Sequence, residues 1–235
     1  MYSIDTIRKV KANLDKAIKD YSEKDYRTYR ICISNGNRKI GRVMNVSLAP
    51  IVTCHNCKEC MFYCYDIKAC VQYSNTVIDA RARNTALLFT ARDEYFRRID
   101  EKMSRRRTNK YFRWHVSGDI VDFDYFTRMV EIAVNHPDFI IWTYTKHYAI
   151  VNAYCDKYGR DAIPSNFSIM FSEWDGVPVI NPYSFPVFSC KMKDGNKNHT
   201  PDYFDSLYKC PGNCDVCKLN GRGCVNSEST YCDEH

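Results

Sequence analysis

The sequence predicts an α/β fold: a partial, TIM-like barrel of parallel β-strands, with an N-terminal helix and hairpin and a cysteine-rich C-terminal tail. Strand-like apolar runs alternate with amphipathic helices over residues 111–189, and this order gives parallel strands with right-handed crossovers. A chain of 235 residues with 45% hydrophobic content can bury one such core. We therefore expect one compact unit, with the helix and hairpin in residues 1–50, the barrel-like core in 51–209 and the tail in 210–235.

The N-terminal part predicts a helix and then a hairpin. Apolar residues recur at three- and four-residue steps over residues 4–22, which indicates one buried helix face. Two alternating segments, residues 29–34 and 39–47, flank Asn35-Gly36. Asn-Gly between such segments is a strong signal for a tight hairpin turn. A loop with the first group of cysteines follows the hairpin.

The core region predicts one long helix over about residues 76–105, followed by strands that alternate with helices. Apolar runs predict strands over residues 111–116, 139–144, 167–171 and 186–189. Asp122 is expected to cap a helix over residues 123–135, and Gly159 is expected to end a helix over residues 147–158.

The predicted strands end in polar residues that indicate a site. Ser117, Gly118 and Asp119 follow the first of them, and Thr145 and Lys146 follow the second. The carboxyl ends of parallel strands carry the binding site in barrels and open sheets, so we expect these groups to converge on a small-molecule ligand. The candidate catalytic residues are Asp119, Ser117 and Lys146. The candidate ligand-binding residues are Ser117, Gly118, Asp119 and Thr145.

The composition and the N-terminal sequence limit the classes of protein to which this chain can belong. No run of eighteen apolar residues exists, so no membrane partner is expected, and the N-terminus lacks the apolar core of a signal peptide. We therefore expect a cytoplasmic protein with reduced thiols. The net charge of +6 lies partly in arginines of residues 92–107. Such a basic helix can bind nucleic acid, or can simply be a solvated helix end whose arginines suit the helix dipole.

Clustered cysteines are the strongest chemical signal. The chain has 13 cysteines, and an odd number excludes complete disulfide pairing within one chain. The first group has the C-x2-C-x2-C-x3-C spacing of a ferredoxin half-motif without its proline: Cys54, Cys57, Cys60 and Cys64. Soft thiolates select iron–sulfur clusters or zinc, and this spacing favours a [4Fe–4S] cluster. Zinc and unligated thiols are the alternatives, while His55 or Cys70 can replace one ligand.

A second group follows near the C-terminus with C-x3-C-x2-C-x6-C spacing: Cys210, Cys214, Cys217 and Cys224. Zinc sites with four cysteines usually consist of two separated C-x2-C pairs, so this spacing also favours a [4Fe–4S] cluster, with zinc a closer competitor. Cys32 and Cys155 are predicted to be small buried hydrophobes. Cys190 lies at a strand end, and Cys232 has no predicted ligand role.

Several blocks of the sequence together resemble a known family. They are Ser47-Leu48-Ala49-Pro50, Cys64-Tyr65, Ala82-Arg83-Asn84, Phe112-Arg113-Trp114-His115-Val116-Ser117-Gly118-Asp119, Tyr144-Thr145-Lys146 and the final cysteine group. In these blocks, over roughly residues 40–225, the chain resembles the phage-encoded gene-product-88 family, which is distantly similar to radical S-adenosylmethionine (SAM) enzymes.

The resemblance implies a radical-SAM-like enzyme with SAM as a further cofactor. Its first cluster would be held by Cys57, Cys60 and Cys64, with Cys54 as fourth ligand or reserve, and the second cluster would be auxiliary. Tyr63 before the last cysteine matches those enzymes, whereas the two gaps between the cysteines are inverted. Ser117-Gly118-Asp119 stands where they carry a glycine–acid motif that binds the SAM amino group.

Two other functions stay open. One is a nucleic-acid-binding phage or mobile-element protein with structural clusters, favoured by the arginines of residues 92–107 and by 18 Tyr and 12 Phe, since aromatic rings can stack on bases. The other is a zinc protein. Iron content separates the zinc protein from the other two, and salt-dependent nucleic-acid binding tests the first.

Overall fold

A mostly parallel β-sheet of eight strands lies at the centre of the structure, a computed structural model that describes residues 1–38, 40–55, 57–174 and 176–234. The strands are β1 (Ile33–Ser34), β2 (Met44–Val46), β3 (Tyr111–Trp114), β4 (Ile140–Thr145), β5 (Phe167–Ser172), β6 (Val187–Lys191), β7 (Tyr208–Lys209) and β8 (Thr230–Asp233). Their spatial order is β1-β2-β3-β4-β5-β6-β8-β7. Only the β1–β2 pair is antiparallel among these described strands. The predicted α/β class is confirmed, and because this pairing is linear the barrel stays a prediction.

Helices connect and cover the strands. They are α1 (Ile4–Ser22), α2 (Tyr65–Gln72), α3 (Ser74–Thr90), α4 (Arg92–Ser104), α5 (Phe123–Asn135), α6 (Tyr148–Tyr158), α7 (Pro201–Asp205) and α8 (Cys214–Asn220). The predicted caps are confirmed: the Asp122 carboxylate accepts the backbone N–H of Tyr125 at 2.8 Å, and Gly159 ends α6 at φ 86°. Among the described residues, no helix combines the length and apolarity needed to cross a bilayer.

The prediction of one long helix over residues 76–105 is wrong, because the helix breaks at Ala91. Its φ of −149° and ψ of 63° separate α3 from α4. The break lets α4 pack its apolar face on the sheet, while α3 also packs against α1 and α2. Arg92 stabilises the new start through ion pairs with Asp122 at 2.6 Å and Asp124 at 3.0 Å. These partners lie far along the chain, so local periodicity gave no sign of them.

The predicted hairpin forms, but with short strands and without the tight Asn-Gly turn. Ile33 pairs with Val46, and a longer connection replaces the two-residue turn. Within that connection Ile40 and Val43 are buried against the C-terminal part of the chain. Full burial of an aliphatic side chain stabilises a fold by about 1.5 to 3 kcal/mol, and this burial favours the longer connection. Lys39, in the predicted second strand, lies outside the described residues.

The two faces of the sheet are covered by different parts of the chain. Helices α4, α5 and α6 pack on the face that includes Ile141 and Ile169. Side chains alternate between faces along a strand, so Trp142 and Met170 lie on the opposite face. There they pack against residues of the predicted tail, namely Cys217, Cys224 and Val225. The tail is therefore part of the core, and it inserts β8 between β6 and β7.

A buried asparagine on α3 joins the hairpin to the segment that leads into the first cysteine group. The Asn84 side chain is fully buried; it accepts the Cys32 N–H at 2.7 Å and donates to the carbonyls of Cys32 at 2.9 Å and Ser47 at 3.0 Å. The neighbouring Thr85 hydroxyl accepts the Ala49 N–H at 2.9 Å. Helix α3 thus fixes where the chain leaves β2.

We predict that Asn84→Ala lowers the free energy of unfolding by about 2 to 4 kcal/mol, because it leaves buried backbone groups without partners. Urea denaturation of both proteins measures the change. Asn13→Ala, at an exposed position of α1, is the matched control and should change stability by less than about 0.5 kcal/mol. Equal effects of the two substitutions would contradict the anchoring role of Asn84.

Candidate functional site

Asp119 links the ends of two neighbouring strands. Its carboxylate accepts the Thr145 hydroxyl at 2.6 Å and the backbone N–H groups of Ile120 at 2.7 Å and Lys146 at 2.9 Å. Burial raises the pKa of Asp119, and these three donors oppose the shift. The structure therefore brings Asp119, Thr145 and Lys146 together as predicted. Asp119 is 5% exposed, and these donors hold its carboxylate between the two strand ends.

Gly118 is needed for packing of the chain on itself. At φ 86°, a Cβ atom there would lie 2.7 Å from Leu48 Cβ and 2.7 Å from Thr53 Oγ1. The backbone N–H of Leu48 also donates to the Ser117 carbonyl at 2.9 Å. The segment before the first cysteine therefore rests directly on the end of β3. The buried Ser117 hydroxyl has no hydrogen-bond partner among the residues that the structure describes.

Lys146 extends the polar groups from the end of β4 to the end of β5. Its ammonium donates to the Ser172 hydroxyl at 3.3 Å and lies 5.9 Å from the centre of the Trp174 ring. The Tyr148 hydroxyl, at the start of α6, donates to the Ser172 carbonyl at 2.5 Å. Three adjacent strand ends thus border one site.

The first cysteine group lies over these strand ends. The His55 ring stacks on His147 at 3.8 Å, and the Tyr63 ring lies 5.8 Å from Trp174. Contact with the Cys57 thiol, assisted by the Lys146 charge, lowers the pKa of Cys60 to about 6. Burial of the Cys60 thiol opposes both effects. Asn56, within this motif, lies outside the described residues.

The four thiols of the first group have unequal surroundings. The sulfur atoms of Cys57 and Cys60 are 3.9 Å apart, and Cys54 contacts Cys57. Burial raises the pKa of Cys64 to about 12, while backbone N–H groups at the start of α2 oppose the shift. Cys70, the alternative ligand, is buried in the apolar cluster formed with α1 and α3. That location favours packing over ligation.

The second cysteine group covers the face of the sheet opposite α4, α5 and α6. Its members are Cys210 after β7, Cys214 and Cys217 in α8, and Cys224 in a following 3₁₀ turn. Burial raises the pKa of Cys217 to about 11 and that of Cys224 to about 12.

Arg113 on β3 is a functional candidate that the sequence analysis missed. It lies 4.5 Å from the centre of the Tyr144 ring, and its positive charge lowers the pKa values of Cys214 and Cys224 against the effect of burial. The sequence did contain a signal for this role, because Arg113 lies within the strand Tyr111–Trp114. Side chains alternate between faces along a strand, which directs Arg113 to the face opposite the helices. A fixed cation there stabilises thiolates.

Among the described residues, no group of three or more His, Cys, Asp or Glu side chains is arranged to hold a metal ion. In the first group, the Cys57 thiol contacts both Cys54 and Cys60, and thiolates are the donors that iron–sulfur clusters and zinc prefer. The donor set fits such a cluster in its chemistry.

The fold and site define an α/β protein with a thiol-rich loop over the carboxyl ends of parallel strands. The family model described as Gene product 88 matches residues 9–177, which is more than half of the chain, and the chain belongs to this family. The match includes most of α1, which the sequence resemblance left out, and ends before the second cysteine group. Comparisons with curated proteins and with solved structures gave no match.

We predict that a buried histidine beside this site makes stability depend on pH. The His115 ring is 3% exposed and bonds the Tyr125 hydroxyl at 2.8 Å, and burial lowers its pKa to about 3. The unfolded chain protonates near pH 6.5. The unfolded state therefore binds the extra proton as the pH falls from about 6.5 toward 3, and stability decreases by up to about 1.4 kcal/mol per pH unit.

Urea denaturation between pH 7.5 and pH 5 measures this slope in the wild type and in His115→Gln, which cannot titrate. The variant should show a shallower slope, and the comparison at pH 7.5 separates the loss of packing from the loss of titration. Parallel slopes in the two proteins would contradict the assignment.

Proposed function

We propose that this protein is an iron–sulfur protein with two [4Fe–4S] clusters, the first beside a site for a small polar ligand. The observation that supports it is the position of the first cysteine group over the strand ends that carry Asp119, Thr145 and Lys146. The C-x2-C-x2-C-x3-C spacing adds a ligand set suited to such a cluster. Four-iron clusters supply electron transfer when bound. We expect the protein in the cytoplasm, where thiols stay reduced.

Each cluster has a defined set of proposed ligands. Cys57, Cys60 and Cys64 are the principal ligands of the first, with Cys54 as the fourth or a reserve. The second, auxiliary cluster takes all four thiolates of its group: Cys210, Cys214, Cys217 and Cys224. The charge of Arg113 offsets their negative charge in a buried setting. A cluster with four protein thiolates leaves no iron for a substrate.

The ligand that we propose for the strand-end site is SAM, in a radical-SAM-like enzyme with a partial β/α barrel. Asp119 would accept a hydrogen bond from the SAM amino group, and the Thr145 hydroxyl and the Lys146 backbone N–H, which donate to the same carboxylate, would hold it in position. The buried Ser117 hydroxyl, which has no hydrogen-bond partner in the part of the chain that the structure describes, supports this proposal, because such a group gains a hydrogen bond from a polar ligand. Gly118 contributes by keeping the cysteine-bearing segment against the site.

We predict that anaerobically purified protein is brown and contains about eight iron atoms per chain, from two four-iron clusters. Cys57→Ala and Cys214→Ala should each lose about half of the iron, because each removes a ligand of one cluster. Iron and sulfide analysis measures this content. Cys155→Ala, on α6 away from both groups, is the control and should keep all of it. A colourless protein that binds only zinc, even after reconstitution with iron and sulfide, would contradict the proposal.

We predict that Asp119→Asn binds SAM at least about tenfold more weakly, because it removes a charge-assisted hydrogen bond worth about 1.5 to 3 kcal/mol. Calorimetry measures both affinities, and iron content should stay unchanged. Asp161→Asn, at an exposed position, is the control. Equal affinities would remove Asp119 from the SAM site. No binding to the wild type would reject SAM and favour the second candidate.

A basic groove favours nucleic acid binding as the second candidate. The groove has a volume of about 480 Å³ and lies between α4 and the segment that leads into β1. Its charged lining is predominantly basic: Arg27, Arg30, Arg98, Lys102, Arg105 and one acid, Glu101. Acidic side chains balance part of this charge, since Arg27 pairs with Asp25, Arg98 with Glu94 and Arg105 with Glu101. Arg92 and Arg97 also form ion pairs, so α4 is less basic than predicted. The phosphate-binding surface would be this groove.

We predict, for this second candidate, that Arg30→Ala and Lys102→Ala weaken binding of single-stranded DNA or RNA, while Lys9→Ala on α1 does not. The logarithm of the affinity should fall linearly with the logarithm of salt concentration, since counterions are released on binding. Fluorescence anisotropy at several salt concentrations measures this. Absence of binding at low salt, or an affinity that both groove substitutions leave unchanged, would contradict the groove as the nucleic-acid-binding surface.

A further inference from the structure

Two cysteines outside both proposed clusters lie side by side in the sheet. Cys190 on β6 and Cys232 on β8 are direct partners in the parallel register, between the pairs Ser189–Tyr231 and Lys191–Asp233. Partners in register direct their side chains to the same face. Both residues are half-buried, and their thiols are close enough to hydrogen-bond.

The strand spacing suits a bond between these two sulfur atoms. Neighbouring strands lie about 4.7 to 4.9 Å apart, and disulfides join Cα atoms that are about 4.4 to 6.8 Å apart. A disulfide here therefore needs little backbone movement. By contrast, Cys70 and Cys155 are buried in apolar clusters. A metal is less suited, because no group of three or more potential ligands is arranged for one among the described residues.

The pair lies next to a proposed cluster ligand. Cys232 is close enough to Cys210 for their charges to interact, and the Cys210 N–H donates to the adjacent Tyr231 carbonyl at 2.7 Å. The thiolate is the attacking species in thiol–disulfide exchange. Cys190 is the fourth of the five residues of β6, so the pair lies near the carboxyl end of that strand.

We propose that Cys190 and Cys232 are a thiol–disulfide exchange site that takes small-molecule disulfides as its oxidant. One thiolate attacks a sulfur atom of the small disulfide, forms a mixed disulfide and releases one thiol equivalent. The second thiolate then attacks the protein sulfur of that mixed disulfide. A Cys190–Cys232 bond forms and a second small thiol leaves, so the two protein thiols lose two electrons and two protons to the oxidant.

The bond would join β6 covalently to the C-terminal strand. The chain between these strands carries α7, β7, α8 and the second cysteine group. Cys210 is held to β8 by the hydrogen bond from its N–H to the Tyr231 carbonyl at 2.7 Å. Oxidation would therefore add a covalent link to a β6–β8 pairing that already forms with both thiols free, and so secure the segment that covers one face of the sheet.

Full-length, anaerobically purified protein with its bound metal is equilibrated with glutathione buffers from fully reduced to fully oxidised. Free thiols are then alkylated, and tryptic peptides are analysed by mass spectrometry. We expect a crosslink between the peptide with Cys190 and the peptide with Cys232, reversed by reduced glutathione. The oxidised protein should resist limited proteolysis of residues 192–230 at least about threefold longer.

Cys190→Ser and Cys232→Ser should each abolish the crosslink and keep the metal content of the wild type, while Cys155→Ser should retain the crosslink. Both thiols staying alkylatable in the most oxidising buffer would overturn the proposal. A crosslink to Cys210 or Cys224 instead, or a loss of metal in Cys190→Ser, would also overturn it. Because metal content is measured separately, failure here leaves the iron–sulfur proposal unaffected.

Discussion

The packing of the chain against Gly118 is the constraint on which the site depends. Residues 48–53 approach the end of β3 so closely that a single Cβ would meet Leu48 and Thr53 at 2.7 Å. Helix α3 holds the same segment from the other side through Asn84 and Thr85. The chain therefore leaves β2 in one direction, and the cysteines that follow lie over the strand ends. A loop held at one side alone would have no fixed relation to Asp119 and Lys146.

The positions of the two cysteine groups determine which positive charges act on their thiols. The Lys146 charge reaches the Cys60 thiol at the strand ends, and the Arg113 charge reaches the second cysteine group on the opposite face from α4, α5 and α6. Each group of thiols thus has a cation supplied by the sheet or by a strand end. Thiolates need such compensation when they are removed from water. Among the described residues, the first group adjoins the polar strand-end residues Asp119 and Lys146, which is why we propose a ligand there.

Local signals allowed the sequence to predict much of the fold. Helix α1 was predictable from its apolar spacing, and α5 and α6 from Asp122 and Gly159, because caps and periodicity act within a few residues. The break at Ala91 and the missing tight turn depend on burial against distant segments. The alternation of predicted strands and helices likewise located Asp119, Thr145 and Lys146, because these residues lie at or just after the ends of predicted strands. The pairing of Arg92 with Asp122 and the approach of Leu48 to Gly118 are tertiary contacts, so spacing along the chain did not reveal them.

The central claim is that an iron–sulfur cluster lies at the carboxyl edge of the sheet, held by the first cysteine group. Anomalous diffraction from crystals of anaerobically purified protein, collected above and below the iron absorption edge, tests this claim most directly. The account predicts an anomalous iron peak within bonding distance of the sulfur atoms of Cys57, Cys60 and Cys64, next to the site with Asp119 and Lys146. A map with no iron beside these cysteines, or with a signal only at the zinc edge, would contradict it.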